Sequence, residues 1–176
     1  MQKAWTCARL FITDVYMSYY TYYNSPIGRL LLECDDMALT GLWIENQKYY
    51  AAGAGAEIRI DNDRPIFADA RRWLDAYFAG RNPNVMDIPL NPQGTDFRRH
   101  VWNELRNIPY GKTTTYGDIA RKLNASPRAV GGAVGHNPIS IIIPCHRVVG
   151  ANNSLTGYAG GLDIKAKLLQ LEDIKV

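Results

Sequence analysis

The sequence predicts an α/β protein in two parts: a small sheet backed by one helix over residues 1–93, then a mainly helical part over residues 94–176. Three observations carry this reading. Short β-prone runs cluster before residue 45, whereas stripes of helical period dominate after residue 94. The breaker cluster Asn91-Pro92-Gln93-Gly94 separates the two. Charge changes sign at the same place, with 9 basic and 11 acidic residues over 1–94 but 8 and 3 over 95–150. At 47% hydrophobic and 21% charged, the 176 residues can bury a real core.

Residues 1–15 fit no element and form an extension, with Met17 available as an alternative start. Residues 16–23 are aromatic and β-prone. They enter the turn-forming run Asn24-Ser25-Pro26-Ile27-Gly28 and leave it as Leu30-Leu31-Leu32-Glu33, which reads as a hairpin. Residues 37–44 supply a third strand. Pro65 opens a helix whose apolar residues Phe67, Ala70, Trp73, Leu74, Tyr77 and Phe78 share one face, and Gly80 closes it. That face covers the sheet, with Trp73 in the core.

Thr95 is the N-cap of a second helix, in which Phe97, Val101, Leu105 and Ile108 recur at i, i+4, i+8 and i+11 before Pro109-Tyr110-Gly111 ends it. Trp102 reads as core and His100 as surface. A helix over residues 116–123, the turn Asn124-Ala125, and Ser126-Pro127 as N-cap and N1 of a further helix give helix-turn-helix spacing, which helix packing alone would also produce. The last of these helices carries Gly131 and Gly132 mid-helix, each costing roughly 1 kcal/mol against alanine. Small residues there predict close approach of a neighbouring helix or of a nucleic-acid groove. The apolar run 139–143 reads as an extended strand that delivers Pro144-Cys145-His146-Arg147.

Cys7, Cys34 and Cys145 cannot all pair and form no CxxC motif, so at least one thiol is free. No metal is expected. Cys34 falls in a strand and reads as core, and His100, His136 and His146 all lie in the second part, far in sequence from Cys7. No membrane span or signal peptide is evident, since Leu10-Phe11-Ile12 is cut short by Asp14, so a cytoplasmic protein is expected. The basic middle block fits a polyanion partner or an ordinary solvated face. Cys145 beside His146 suggests an activated thiol, because an imidazole can populate the thiolate. Alone the pair is weak: buried cysteines are mostly inert, and neighbours in a strand point apart.

Six segments in order go further: Tyr110-Gly111-Lys112-Thr113 with Tyr116-Gly117; Arg128-Ala129-Val130-Gly131; Asn137-Pro138; Ile143-Pro144-Cys145-His146-Arg147-Val148-Val149; Gly157-Tyr158-Ala159-Gly160-Gly161-Leu162; and Lys165 with Leu168-Leu169. Together they resemble the O6-alkylguanine-DNA alkyltransferases, and Ser25-Pro26-Ile27-Gly28 extends the resemblance into the first part. The resemblance implies a ribonuclease H-like N-terminal domain, a winged-helix/helix-turn-helix C-terminal domain, and single-use transfer of a methyl or alkyl group from guanine O6 in duplex DNA to Cys145. It implies a catalytic set of Cys145, His146 as the base acting through water, Glu172 holding that imidazole, Tyr116 as proton donor at guanine N3, and Asn137 joining the recognition helix to the active-site segment. For DNA it implies Arg128, filling the gap left by a flipped nucleotide in the minor groove, together with Ala129, Tyr116, Val148, Tyr158 and Ala159. Main-chain carbonyls of Cys145 and Val148 would accept from the guanine 2-amino group, and the Ala159 N–H would lie near O6. No cofactor, no membrane and a monomer follow, while the range of alkyl groups and activity on O4-alkylthymine stay open. The rivals are a lesion sensor that binds without transfer, against which Cys145 argues, a winged-helix redox regulator, and a cysteine acyl-transfer enzyme.

Overall fold

The computed structural model describes residues 17–54 and 59–175. Strands β1 (Tyr19–Ser25) and β2 (Gly28–Cys34) pair antiparallel from Tyr19↔Cys34 to Ser25↔Gly28, leaving Pro26 and Ile27 as a two-residue turn. Gly28 sits at φ +118°, a conformation that favours glycine. β3 (Leu39–Ile44) pairs antiparallel with β2, and a two-residue β4 (Arg59–Ile60) adds to β1 in parallel, giving the order β3-β2-β1-β4. Two residues are too few to leave a period-2 signature, so β4 is not foreseen. Leu30, Leu32 and Cys34 point to the main core, as expected for Cys34, while Leu31 joins Tyr20 and Trp43 on the opposite face.

Helix α1 (Pro65–Phe78) starts on Pro65 and buries Phe67, Ala70, Trp73, Leu74 and Tyr77 of the expected face, while Phe78 at its last position is half-buried. α2 (Asp96–Arg106) is capped by Thr95 Oγ1, which accepts from the Arg98 amide. Val101, Trp102 and Leu105 are buried, but Phe97, the first residue of the predicted stripe, lies in the opening turn and is exposed. His100 is exposed, as expected. α3 (Tyr116–Lys122) begins on a reciprocal Thr115–Asp118 cap, and α4 (Pro127–Gly135) begins on Ser126, whose Oγ accepts from the Ala129 amide at 3.2 Å. Trp102 Nε1 donates to the Ala133 carbonyl at 2.9 Å, fixing α2 to α4. β5 (Thr114–Thr115) and β6 (Val148–Val149) form a short parallel pair, and α5 (Leu162–Leu171) closes the core through Leu168 and Leu169. Among the described residues, no helix is long and apolar enough to cross a membrane.

Residues 139–143 are not a strand. Only Ile139 makes a bridge, to Leu42; the chain then turns within the core, with Ile141 at φ +71° and Ile141, Ile142 and Ile143 all buried. Asn137 makes this possible: its Nδ2 donates to the carbonyls of Ile139 (3.2 Å) and Ile143 (2.9 Å), and its Oδ1 accepts from the Ile139 amide (3.1 Å). One buried side chain thereby replaces the ladder bonds a strand would have made.

The glycines of α4 are not there for helix packing. A Cβ at Gly132 would meet nothing within 4 Å, and one at Gly131 would make ordinary contact with the Tyr116 ring at 3.8 Å. Both glycines instead line a cavity.

Candidate active site

Cys145 opens a single 3-10 turn (Cys145–Arg147) and is 5% exposed, against a cavity of about 290 Å³. The cavity is lined by Gly131, Val134 and Gly135 of α4, by Gly157, Tyr158 and Ala159, and by Asn137 and Ser140. Asn137 Nδ2 lies 3.2 Å from Cys145 Sγ, so the amide that stabilises the turn also donates to the sulfur. Burial pushes the thiol pKa up; Asn137, the Lys165 charge and nearby main-chain amides pull it back only in part. At rest Cys145 is therefore a thiol.

His146 has a defined tautomer. Burial first, and the neighbouring Arg147 and Lys165 charges, hold His146 below its ordinary pKa against the opposing pull of Glu172, so it is neutral near pH 7. His146 Nε2 lies 2.7 Å from Glu172 Oε1. Because the carboxylate only accepts, the hydrogen sits on Nε2 and Nδ1 is left as a bare acceptor, buried and without a hydrogen-bond partner among the described residues.

Glu172, just past α5, is the hub. Besides His146 it accepts from Arg147 Nε (2.8 Å) and Nη2 (3.1 Å), from Tyr77 Oη of α1 (2.7 Å) and from the Gly111 amide (3.2 Å). Burial alone would raise this carboxyl; its hydrogen bonds and the adjacent cations bring it down to about 2. His146 is the larger of the lowering influences and Arg147 the second, so the full depression belongs to the state with His146 protonated, and at neutral pH Arg147 is the charge that remains. Tyr77 and Arg147 are the site residues that sequence reasoning missed. Arg147 carried a signal, a charged residue directly before the apolar pair Val148-Val149, whereas Tyr77 read as an ordinary core aromatic.

Lys165 is fully buried and donates to the carbonyls of Val148 (2.5 Å), Thr156 (2.8 Å) and Gly157 (3.4 Å), tying the 156–157 loop to β6. Burial lowers its pKa to about 8, opposed by the attraction of Cys145. Tyr116 reaches across the cavity to the Gly157 carbonyl at 3.2 Å; burial, then the Cys145 charge, push its phenol up to about 12, so it keeps its proton. The Tyr158 ring lines the cavity, and its buried hydroxyl has no partner among the described residues.

Arg128, in the first turn of α4, is exposed and held by no hydrogen bond or ion pair among the described residues. It borders a shallow cleft that shares Tyr116, Gly131 and Gly157 with the Cys145 cavity. Ala129 is exposed beside it but lines neither space. Val148 is fully buried and also lines neither; its carbonyl is already engaged by Lys165. Among the described residues no cluster of three or more His, Cys, Asp or Glu could hold a metal; Cys7 lies outside them.

Residues 96–174 match the family model of the 6-O-methylguanine DNA methyltransferase DNA-binding domain, and residues 18–92 match that of its ribonuclease-like domain. A methylated-DNA–protein-cysteine methyltransferase of Haemophilus influenzae is 46% identical over 158 residues, covering 89% of this chain and 87% of that protein. The chain belongs to the 6-O-methylguanine DNA methyltransferase family. A relative of the same description from Methanosarcina acetivorans is 47% identical over 88% of this chain and 97% of its own length. Among solved structures, the Mycobacterium tuberculosis O6-methylguanine methyltransferase superposes with a TM-score of 0.78 at 45% identity (89% of this chain, 93% of that one). The Mycobacterium tuberculosis OGT in complex with DNA superposes at 0.77 and 44% identity (88% and 92%). The cavity draws on both matched segments of this family, since Lys48 and Tyr49 line it together with the residues beyond Gly94.

Proposed function

We propose that the chain repairs duplex DNA by taking the alkyl group from O6 of a guanine onto Cys145, once per molecule. The observation that carries this is the buried His146, one position after Cys145: its Nε2 lies 2.7 Å from Glu172 Oε1 and its Nδ1 has no hydrogen-bond partner among the described residues. His146 Nδ1 takes the thiol proton, through one water, and the imidazolium is stabilised by the Glu172 carboxylate. The sulfur lone pair attacks the alkyl carbon, the carbon–oxygen bond breaks, and its electrons pass to the guanine. Asn137 and Lys165 favour the transient thiolate. Tyr116, protonated, donates to the leaving base, and the thiol proton finally replaces the alkyl group on guanine, so the step balances with DNA and protein alone. The thioether has no carbonyl for water to attack, and the protein is consumed.

The target nucleotide must leave the stack to reach a buried sulfur. Arg128 is free to enter the gap, the glycine-rich surface of α4 permits close approach to the minor groove, and Tyr158 and Ala159 form the wall against which the base lies. Selection of guanine by the carbonyls of Cys145 and Val148 relies on their second lone pairs, since the first accept from the Val148 amide and from Lys165. We place the division between the two domains at residues 93 and 94, and assign the protein to the cytoplasm as a monomer. Incubation with a duplex containing O6-methylguanine, followed by mass measurement of the Cys145 peptide, tests the reading. A gain of one methylene, absent in Cys145→Ala, is expected; an unchanged peptide refutes it.

A further inference from the structure

The Cys145 cavity has two ends. One shares Tyr116, Gly131 and Gly157 with the Arg128 cleft and is where a base would enter. The other is formed by Lys48, Tyr49 and His136, to which none of the chemistry above assigns a part. There the Tyr49 ring, from the loop after β3, stacks on His136 at the end of α4, with centroids 4.1 Å apart and planes 24° from parallel. His136 is oriented by its Nδ1, 2.7 Å from the Gly132 carbonyl, and Lys48 Nζ stands 4.9 Å from the centroid of the Tyr49 ring.

The loop carrying Tyr49 is pinned. The Lys48 amide donates to the Ala159 carbonyl at 2.9 Å, and buried Gln47 Oε1 accepts from the Ile44 amide (2.8 Å) and from Ser140 Oγ (3.2 Å). Tyr49 itself sits at φ +62°, a left-handed conformation that a bulky side chain adopts only where its surroundings impose it. A strained, anchored aromatic at the end of a cavity of about 290 Å³, near the small end of the usual range for ligand sites, is a fixed boundary. Tyr49 is 39% exposed, so this end of the cavity lies at the protein surface.

We infer that the Tyr49–His136 pair is the back wall that sets the size of the O6 substituent, admitting methyl and short alkyl groups and excluding aryl groups until the two rings part. This rests on the proposed function, because it presumes that the substituent points past Cys145 away from the entry side. A pocket boundary discriminates by about 10- to 200-fold per misfitting group, which sets the scale of the effect.

The test compares transfer rates to Cys145 of benzyl and of methyl from guanine O6 in the same duplex, for the parent protein, Tyr49→Ala, His136→Ala and Tyr49→Phe. The benzyl-to-methyl rate ratio should rise at least about tenfold in both alanine variants and stay at the parent value in Tyr49→Phe, which keeps the ring. His136→Ala opens the same wall from a helix end and decides the matter if Tyr49→Ala does not fold. A ratio that stays constant, or that falls because the rings grip the aryl group, overturns the inference while methyl transfer by the parent protein keeps the proposed function standing. Absence of methyl transfer by the parent protein removes both.

Discussion

Replacing Glu172 by glutamine tests the hub of the site with least change of shape. A carboxyl held at about 2 rather than the usual 4.5 corresponds to at most about 3 kcal/mol of stability at neutral pH, using 1.36 kcal/mol per pH unit, because part of the depression comes from His146 in its charged form. The sign follows from the depression: the contribution is complete above pH 4.5, where the unfolded carboxyl is also ionised, and disappears as pH falls from there toward 2. The substitution also leaves the Arg147 guanidinium, 8% exposed, without its counter-charge, and breaking a buried pair costs about 3–5 kcal/mol. At pH 7 the melting temperature should therefore drop by about 6–20 °C, and the drop should shrink as the pH is lowered below 4.5. Glu172→Gln would also confront His146 Nε2 with an amide able to donate, removing the anion that stabilises the imidazolium, so methyl transfer should slow by about 10²- to 10⁴-fold. Differential scanning calorimetry across pH and single-turnover transfer at a temperature where both proteins are folded read the two effects separately. A variant that melts like the parent and transfers at the parent rate would refute both the buried charge pair and the base assignment.

Three further outcomes follow from the same geometry. Tyr77→Phe removes a 2.7 Å hydrogen bond to Glu172 and should cost about 1.5–3 kcal/mol by denaturant titration and slow transfer, although Tyr77 lies outside the cavity lining. Arg128→Ala should slow transfer from duplex DNA by about 100-fold while sparing transfer from free O6-alkylguanine base, because only the duplex substrate must hold a nucleotide out of the stack; equal losses on both would show that the arginine acts elsewhere. Since burial raises the Cys145 thiol, its labelling by iodoacetamide should climb with pH through and beyond the usual cysteine range near 8.5, and a plateau already reached at pH 7 would mean a resting thiolate.

Much of the fold was legible because its helices announce themselves locally. Pro65, Thr95 and Ser126 mark starts that the structure uses, and the stripes predicted after Pro65 and Thr95 are buried apart from half-buried Phe78 and exposed Phe97. What was not legible is decided across the chain. β4, β5 and β6 are two residues long and exist only because their partners are adjacent in space. The 139–143 run has the composition of a strand, and composition cannot reveal that one asparagine upstream supplies the hydrogen bonds for a buried turn.

The site divides along the same line. Cys145 and His146 could be singled out because they adjoin in sequence, and the structure places them in one buried 3-10 turn instead of a strand. Tyr77 had no such cue. It sits on the apolar face of α1 like any core residue, and its hydroxyl finds Glu172 95 positions later. Tyr49 is similar, a loop aromatic whose stacking partner lies at the far end of α4. Both come from the first half of the chain and touch the two ends of the chemistry, one behind the carboxylate and one behind the sulfur. On the proposed reading, the first half of the chain is part of the reacting apparatus as well as a support for it. A C-terminal fragment that retained Cys145, His146 and Glu172 would have an unbraced carboxylate and an open cavity, and should lose rate and selectivity together.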